Sequence, residues 1–202
     1  MCNCKNLRSQ ITPVEAEQFG LISNYWDVNR GIAGPTGRLE PVSEIYGCCL
    51  YRCRDCGQLW EAVLDSSYFL RALNKPPSQL GKSDYGTERD PSVNRGVILR
   101  KQNVSKDVWE RDMKHRYEAY RRPALEKVVR EYESKGYSRS SGFRESWWDL
   151  AVVRRHVPKK RLFGEELLEE EIWIFVDVNG RVMCEKVISK GHEILEQVRY
   201  SL

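Results

Sequence analysis

Six of the seven cysteines fall between positions 2 and 56, and two of them stand in Cys53-Arg54-Asp55-Cys56-Gly57. A Cys-x-x-Cys pair on a turn closed by glycine lets two thiolates face one tetrahedral ion at roughly 2.3 Å. The flanking stretches, Glu44 to Arg52 and Gln58 to Leu64, are rich in Ile, Tyr, Leu, Trp and Val and read as extended. Together they predict a two-stranded hairpin with a metal at its tip. A lone hairpin is marginal in water. The ion therefore has structural work to do, since a zinc site contributes folding free energy directly.

The second ligand pair is narrowed by strand geometry. Cys2 and Cys4 share one side of an extended segment and have no packing reason to stand at a polar terminus. Cys48 and Cys49 are adjacent, so on a strand they point to opposite faces and do not easily bind one ion together. They read as small core residues, although one of them in place of Cys2 or Cys4 stays open. The expected set is therefore Cys2, Cys4, Cys53 and Cys56 around structural Zn²⁺. Four thiolates leave no position for water, so such a centre is not catalytic. The odd cysteine count and the absence of a basic start and apolar core at Met1-Cys2-Asn3-Cys4 favour metal over disulfides in a reducing compartment. The expected location is the cytoplasm.

The run Leu50-Tyr51-Arg52-Cys53 with Cys56-Gly57-Gln58-Leu59-Trp60-Glu61 resembles a motif in small immunity proteins of bacterial polymorphic-toxin systems. The resemblance covers about a dozen residues. It implies an interaction module that binds and neutralises a cognate toxin, hence a protein partner and no enzymatic activity.

Charge offers a competing reading. Arg154, Arg155, Lys159, Lys160 and Arg161 make a basic run suited to a phosphate backbone, with Arg121 and Arg122 as further cations. This gives the alternative of a zinc-ribbon nucleic-acid-binding protein. Yet Glu165, Glu166, Glu169, Glu170 and Glu171 follow closely and repel the same phosphates, so the basic run also reads as a solvated loop whose charge they offset. The acidic block could equally face a basic partner. A net charge of +4 permits nucleic acid without demanding it.

Catalytic constellations do not assemble. Asp177, Glu185 and Lys186 echo a restriction-type nuclease, but Glu185 and Lys186 are adjacent and would point to opposite faces of a strand. Gly31 to Gly37 lacks the lysine and Ser/Thr of a P-loop, and Pro35 removes an amide. His115, His156 and His192 are remote from the cysteines in sequence. No apolar run approaches the roughly 20 residues of a membrane helix.

The expected architecture is α+β, with a zinc-ribbon-like segment over 1–75, a linker or long loop over 76–95, and an α+β domain over 96–202 built as helix, antiparallel sheet and closing helix. Thr12-Pro13-Val14-Glu15 reads as a capping box opening a short helix ended by Gly20. Ser105 caps a long helix that Pro123 interrupts and Gly136 stops. Strands are expected at Trp147 to Arg154, Ile172 to Val178 and Arg181 to Ser189. The last two flank Asn179-Gly180, with Phe175 opposite Cys184 and Trp173 opposite Lys186. A final helix over about His192 to Tyr200 completes the reading.

Overall fold

A computed structural model describes residues 4–23, 37–64, 66, 97–140, 150–161 and 164–202. The stretch 76–95 and the glycine-rich residues 31–36 lie outside them. The N-terminal helix α1, Pro13–Gln18, forms as expected. Thr12 Oγ1 accepts the Glu15 N–H while the Glu15 carboxylate takes the Thr12 N–H, and Gly20 follows at φ +66°.

The first sheet runs in the order β1-β5-β4-β3-β2, antiparallel throughout: β1 Gln10–Ile11, β2 Leu39–Ile45, β3 Cys48–Cys53, β4 Leu59–Leu64 and β5 Val97–Gln102. The expected hairpin of Cys53 and Cys56 is thus two inner strands of a larger sheet rather than a free-standing ribbon. Glu44 to Arg52, read as one strand, breaks at Tyr46-Gly47. Both residues have positive φ, +45° and +77°, as a two-residue I′ hairpin turn requires. A tyrosine is unusual there. Its ring stacks on Tyr117 (centroids 3.8 Å apart, 8° between planes) and its carbonyl accepts from Arg121 Nη2 at 2.9 Å.

Helix α2, Lys106–Arg116, is capped by Ser105 and covers one face of this sheet, burying Trp109 and Met113 beside Cys48, Leu50, Val63 and Ile98. A π-helical turn, Tyr117–Arg121, joins it to α3, Arg122–Glu133. Pro123 sits in the first turn of α3, where its ring would clash with a carbonyl four residues behind it; the widened turn resolves the clash without breaking the rod. Arg121 is thereby turned inward and is 2% exposed.

The second sheet has the order β10-β9-β8-β7-β6: β6 Ser138–Arg139, β7 Leu150–Arg161, β8 Gly164–Val176, β9 Val182–Lys190 and β10 Glu193–Ser201. Strand β8 is buried on both faces. Ile172, Ile174 and Val176 pack with Leu125, Val128 and Val129 of α3, while Phe175 joins the cluster around Trp60 and Leu99 of the first sheet.

This architecture overturns the α+β expectation of helix, sheet and closing helix. Among the described residues the fold is mostly β, two five-stranded antiparallel sheets with the short α1 and one interrupted helical rod. The closing helix is strand β10. Its 3.6-residue apolar spacing spans too few residues to hold a helix alone, and Gly191, at φ +57°, turns the chain straight back onto β9. The β8–β9 register also differs by one residue. Cys184 lies opposite Ile174, Phe175 opposite Met183, and Trp173 opposite Glu185. Asp177 is the cause. Its Oδ1 accepts the N–H of both Asn179 and Arg181, and only Gly180 takes positive φ, so the loop is a type I turn with a glycine bulge rather than a two-residue turn.

Gly180 also lies against the π-helical turn, where an added Cβ would meet Tyr120 Cβ at 3.0 Å. Gly180→Ala combines that contact with a φ of +83°, and a thermal melt is expected to show a loss of about 1–3 kcal/mol.

The basic run is not a loop. It forms most of β7, and the acidic run forms the facing part of β8. Arg154 lies opposite Glu171, Arg155 opposite Glu170, Lys159 opposite Glu166 and Lys160 opposite Glu165. Arg155 Nε meets Glu170 at 2.6 Å, Arg154 meets Glu169 at 3.4 Å, and Lys186 of β9 joins Glu170 at 3.2 Å. Pro158 is tolerated in this strand because β6 pairs only with Val153 and Arg154, so among the described residues β7 is an edge beyond that point.

Candidate metal centre

Three chain segments converge at the tip of β3. Cys53 is the last residue of β3, and its N–H donates to Gln58 O at 2.9 Å. The turn that follows is closed by Gly57, at φ +76°, whose N–H donates to Cys53 O at 2.8 Å. That curl returns Cys56 toward Cys53. Ion pairs of Arg38 with Asp55 and of Arg54 with Glu40, each at 3.6 Å, hold the turn against β2. Arg54 N–H further donates to Arg38 O at 2.8 Å.

Cys4 arrives from the other end of the sequence, in a single 3₁₀ turn, Cys4–Asn6. Leu7 packs on the cluster around Trp60, Lys101 N–H donates to Ser9 O at 2.8 Å, and Lys101 Nζ donates to Leu7 O. Strand β1 then pairs Ile11 with Leu99. The N-terminal segment is thus laid along β5 and ends beside the turn.

The sulfurs of Cys4, Cys53 and Cys56 lie within 4.8 Å of one another. Thiolates bound to one tetrahedral zinc at 2.3 Å stand roughly 3.8 Å apart, so the three could hold a metal ion with small side-chain adjustments. Among the described residues this is the one group of cysteines, histidines or carboxylates that meets such a spacing. Cys4 and Cys53 are 1% exposed, whereas Cys56 faces solvent. It lines a polar cleft of about 410 Å³ together with Lys5, Gln58, Gln102, Asn103 and Ser105.

The other expected site residues separate clearly. Cys2 lies outside the described residues. Cys48 and Cys49 point to opposite faces of the first sheet, as their adjacency requires. Cys48 Sγ accepts from Arg121 Nη1 at 3.3 Å, and Cys49 packs in the cluster around Trp60, where burial pushes its thiol far above the ordinary range. Cys184 is likewise a core residue, its thiol pushed up to about 12 by burial. His115 stands edge-on to Tyr120 at 5.8 Å, His156 lies opposite Glu169 in the second sheet, and His192 is in the β9–β10 turn. Asp177, Glu185 and Lys186 are engaged separately. Asp177 shapes a turn, Glu185 pairs with Arg199, and Lys186 bridges Glu170 to Glu196.

One buried polar pair has almost no signature in the sequence. Trp109 Nε1 donates to the Glu61 carboxylate at 2.7 Å, and burial pushes that carboxyl above its usual range despite Trp109 and Arg100. Only an acidic residue inside an otherwise apolar strand hints at it.

No protein-family model, curated protein sequence or solved structure matches the chain. Among the described residues no helix is long and apolar enough to cross a membrane.

Proposed function

We propose that Cys4, Cys53 and Cys56 bind a zinc ion as thiolates, with Cys2 as fourth ligand, and that this ion is a structural staple in an intracellular protein-binding module of the immunity-protein kind. The convergence of three cysteines from both ends of a 53-residue span carries the reading. Thiolates select zinc among common structural ions. The local resemblance of Leu50 to Glu61 supports a partner of the toxin class, and the separate engagements of Asp177, Glu185 and Lys186 speak against the nuclease alternative.

The nucleic-acid alternative has weaker support. Arg154 and Arg155 are half-buried and engaged by Glu169 and Glu170, so a phosphate would have to displace a carboxylate from each.

Protein purified without chelator is expected to carry about one zinc per chain by elemental analysis. Cross-linked purification from the native host is expected to retain a protein partner, with no gel shift of DNA or RNA at about 50 mM salt. A metal-free protein overturns the zinc reading. A shift that weakens steeply with salt and disappears in Lys159→Glu with Lys160→Glu replaces the protein partner by nucleic acid.

A further inference from the structure

The centre is asymmetric. Two sulfurs are sealed in the core, and the third, Cys56, stands on the wall of an open polar cleft. Cys53 and Cys56 are three residues apart on one turn whose ends are tied by the Gly57 to Cys53 hydrogen bond, and their sulfurs are within 4.8 Å. That separation closes to a disulfide length of about 2.05 Å by rotation about two side-chain bonds. The remaining described cysteines, Cys48, Cys49 and Cys184, are buried in cores. An oxidant arriving from solvent therefore meets Cys56 first.

We propose that Cys56 is an oxidative modification site through which a hydroperoxide opens the metal staple. The inference rests on the zinc reading and adds its regulation. The Cys56 thiolate attacks the terminal oxygen of the peroxide, an S–O bond forms, and the O–O bond breaks. The leaving alkoxide or hydroxide takes up a proton. The Cys53 thiolate then attacks Cys56 sulfur, forming the S–S bond, and hydroxide departs and is protonated to water. Two thiolates supply the two electrons that the peroxide accepts.

Zinc loses two of its anionic ligands in this step and leaves. The N-terminal segment then loses its metal tie to the turn and is held by the Lys101 hydrogen bonds to Leu7 O and Ser9 O, the two-residue β1 ladder and Leu7. Lys5 and Arg8, both exposed, are then the tryptic sites of that segment.

The test uses the reduced, full-length protein, first assayed for zinc. About one equivalent of hydrogen peroxide is added, zinc release is followed with a chromophoric chelator, and free thiols are alkylated for peptide mass spectrometry. The expected result is release matched to a Cys53–Cys56 disulfide, at least tenfold faster tryptic cleavage after Lys5 or Arg8, and reversal by dithiothreitol with added zinc. Cys48→Ala with Cys49→Ala and Cys184→Ala is expected to release zinc at the same rate. Zinc-loaded protein that keeps its metal in tenfold excess peroxide, or loses it without that disulfide, overturns the proposal and leaves the zinc reading standing. A metal-free protein overturns the zinc reading and the staple with it, even if the Cys53–Cys56 disulfide still forms.

Discussion

Cys53→Ser is expected to strip the zinc and to lower the melting temperature to that of chelator-treated wild-type protein. Cys53 joins three structures at once: it ends β3, its N–H and C=O fasten the turn through Gln58 and Gly57, and its sulfur faces those of Cys4 and Cys56. Serine preserves nearly the same volume and both backbone bonds, so packing is almost untouched and the difference reports the ion. At a free zinc concentration a thousandfold above the dissociation constant, binding to the folded state alone contributes about 4 kcal/mol. Two melts decide the matter. EDTA should lower the transition of the wild type and leave that of Cys53→Ser unmoved. Equal sensitivity of the two proteins to EDTA would show that the sulfur does not hold the ion.

The second large effect lies far from the metal. Arg199 of β10 and Glu185 of β9 face each other at 3.1 Å with side chains 4% and 10% exposed, and Gln197 adds a hydrogen bond to the other carboxylate oxygen. Arg199→Ala leaves a buried carboxylate whose countercharge is gone, a change that costs about 3–5 kcal/mol. The double variant Glu185→Gln with Arg199→Met removes both charges and keeps the volume; it is expected to recover most of that loss, because a buried pair contributes little beyond a well-packed apolar replacement. Urea unfolding of the three proteins measures it. A single variant within 1 kcal/mol of wild type would mean that water reaches Glu185 and solvates it.

The sequence carries the local chemistry of this chain better than its long-range order. The Thr12 capping box, the Ser105 cap and the glycine stops at Gly20 and Gly136 are all decided within four residues, and each is where the residues put it. The opposed faces of Cys48 and Cys49 follow from the strand period alone. Errors arise where a neighbour distant in sequence decides. The apolar spacing of Ile194, Leu195 and Val198 suits a helix until β9 offers a partner. Asp177, which echoes a nuclease acid in the sequence, instead commits its carboxylate to the turn and shifts the whole β8–β9 register by one. At the metal centre, Cys53 and Cys56 are legible from spacing. The arrival of Cys4 depends on β1 and Lys101 laying the N-terminal segment along β5, which no local pattern announces.

The facing charges of β7 and β8 leave a mark on how such a chain can vary over generations. A slip of two residues would keep every side chain on its face yet set Arg155 against Leu168 and Val157 against Glu166, so opposite charges fix an alignment that the hydrophobic period leaves free. Reversing one sign, as in Arg155→Glu, places two carboxylates together beside Glu170; reversing both restores the attraction. Diverged descendants of this gene should therefore change sign at 155 and 170 in step, inheriting the alignment even where neither original residue survives.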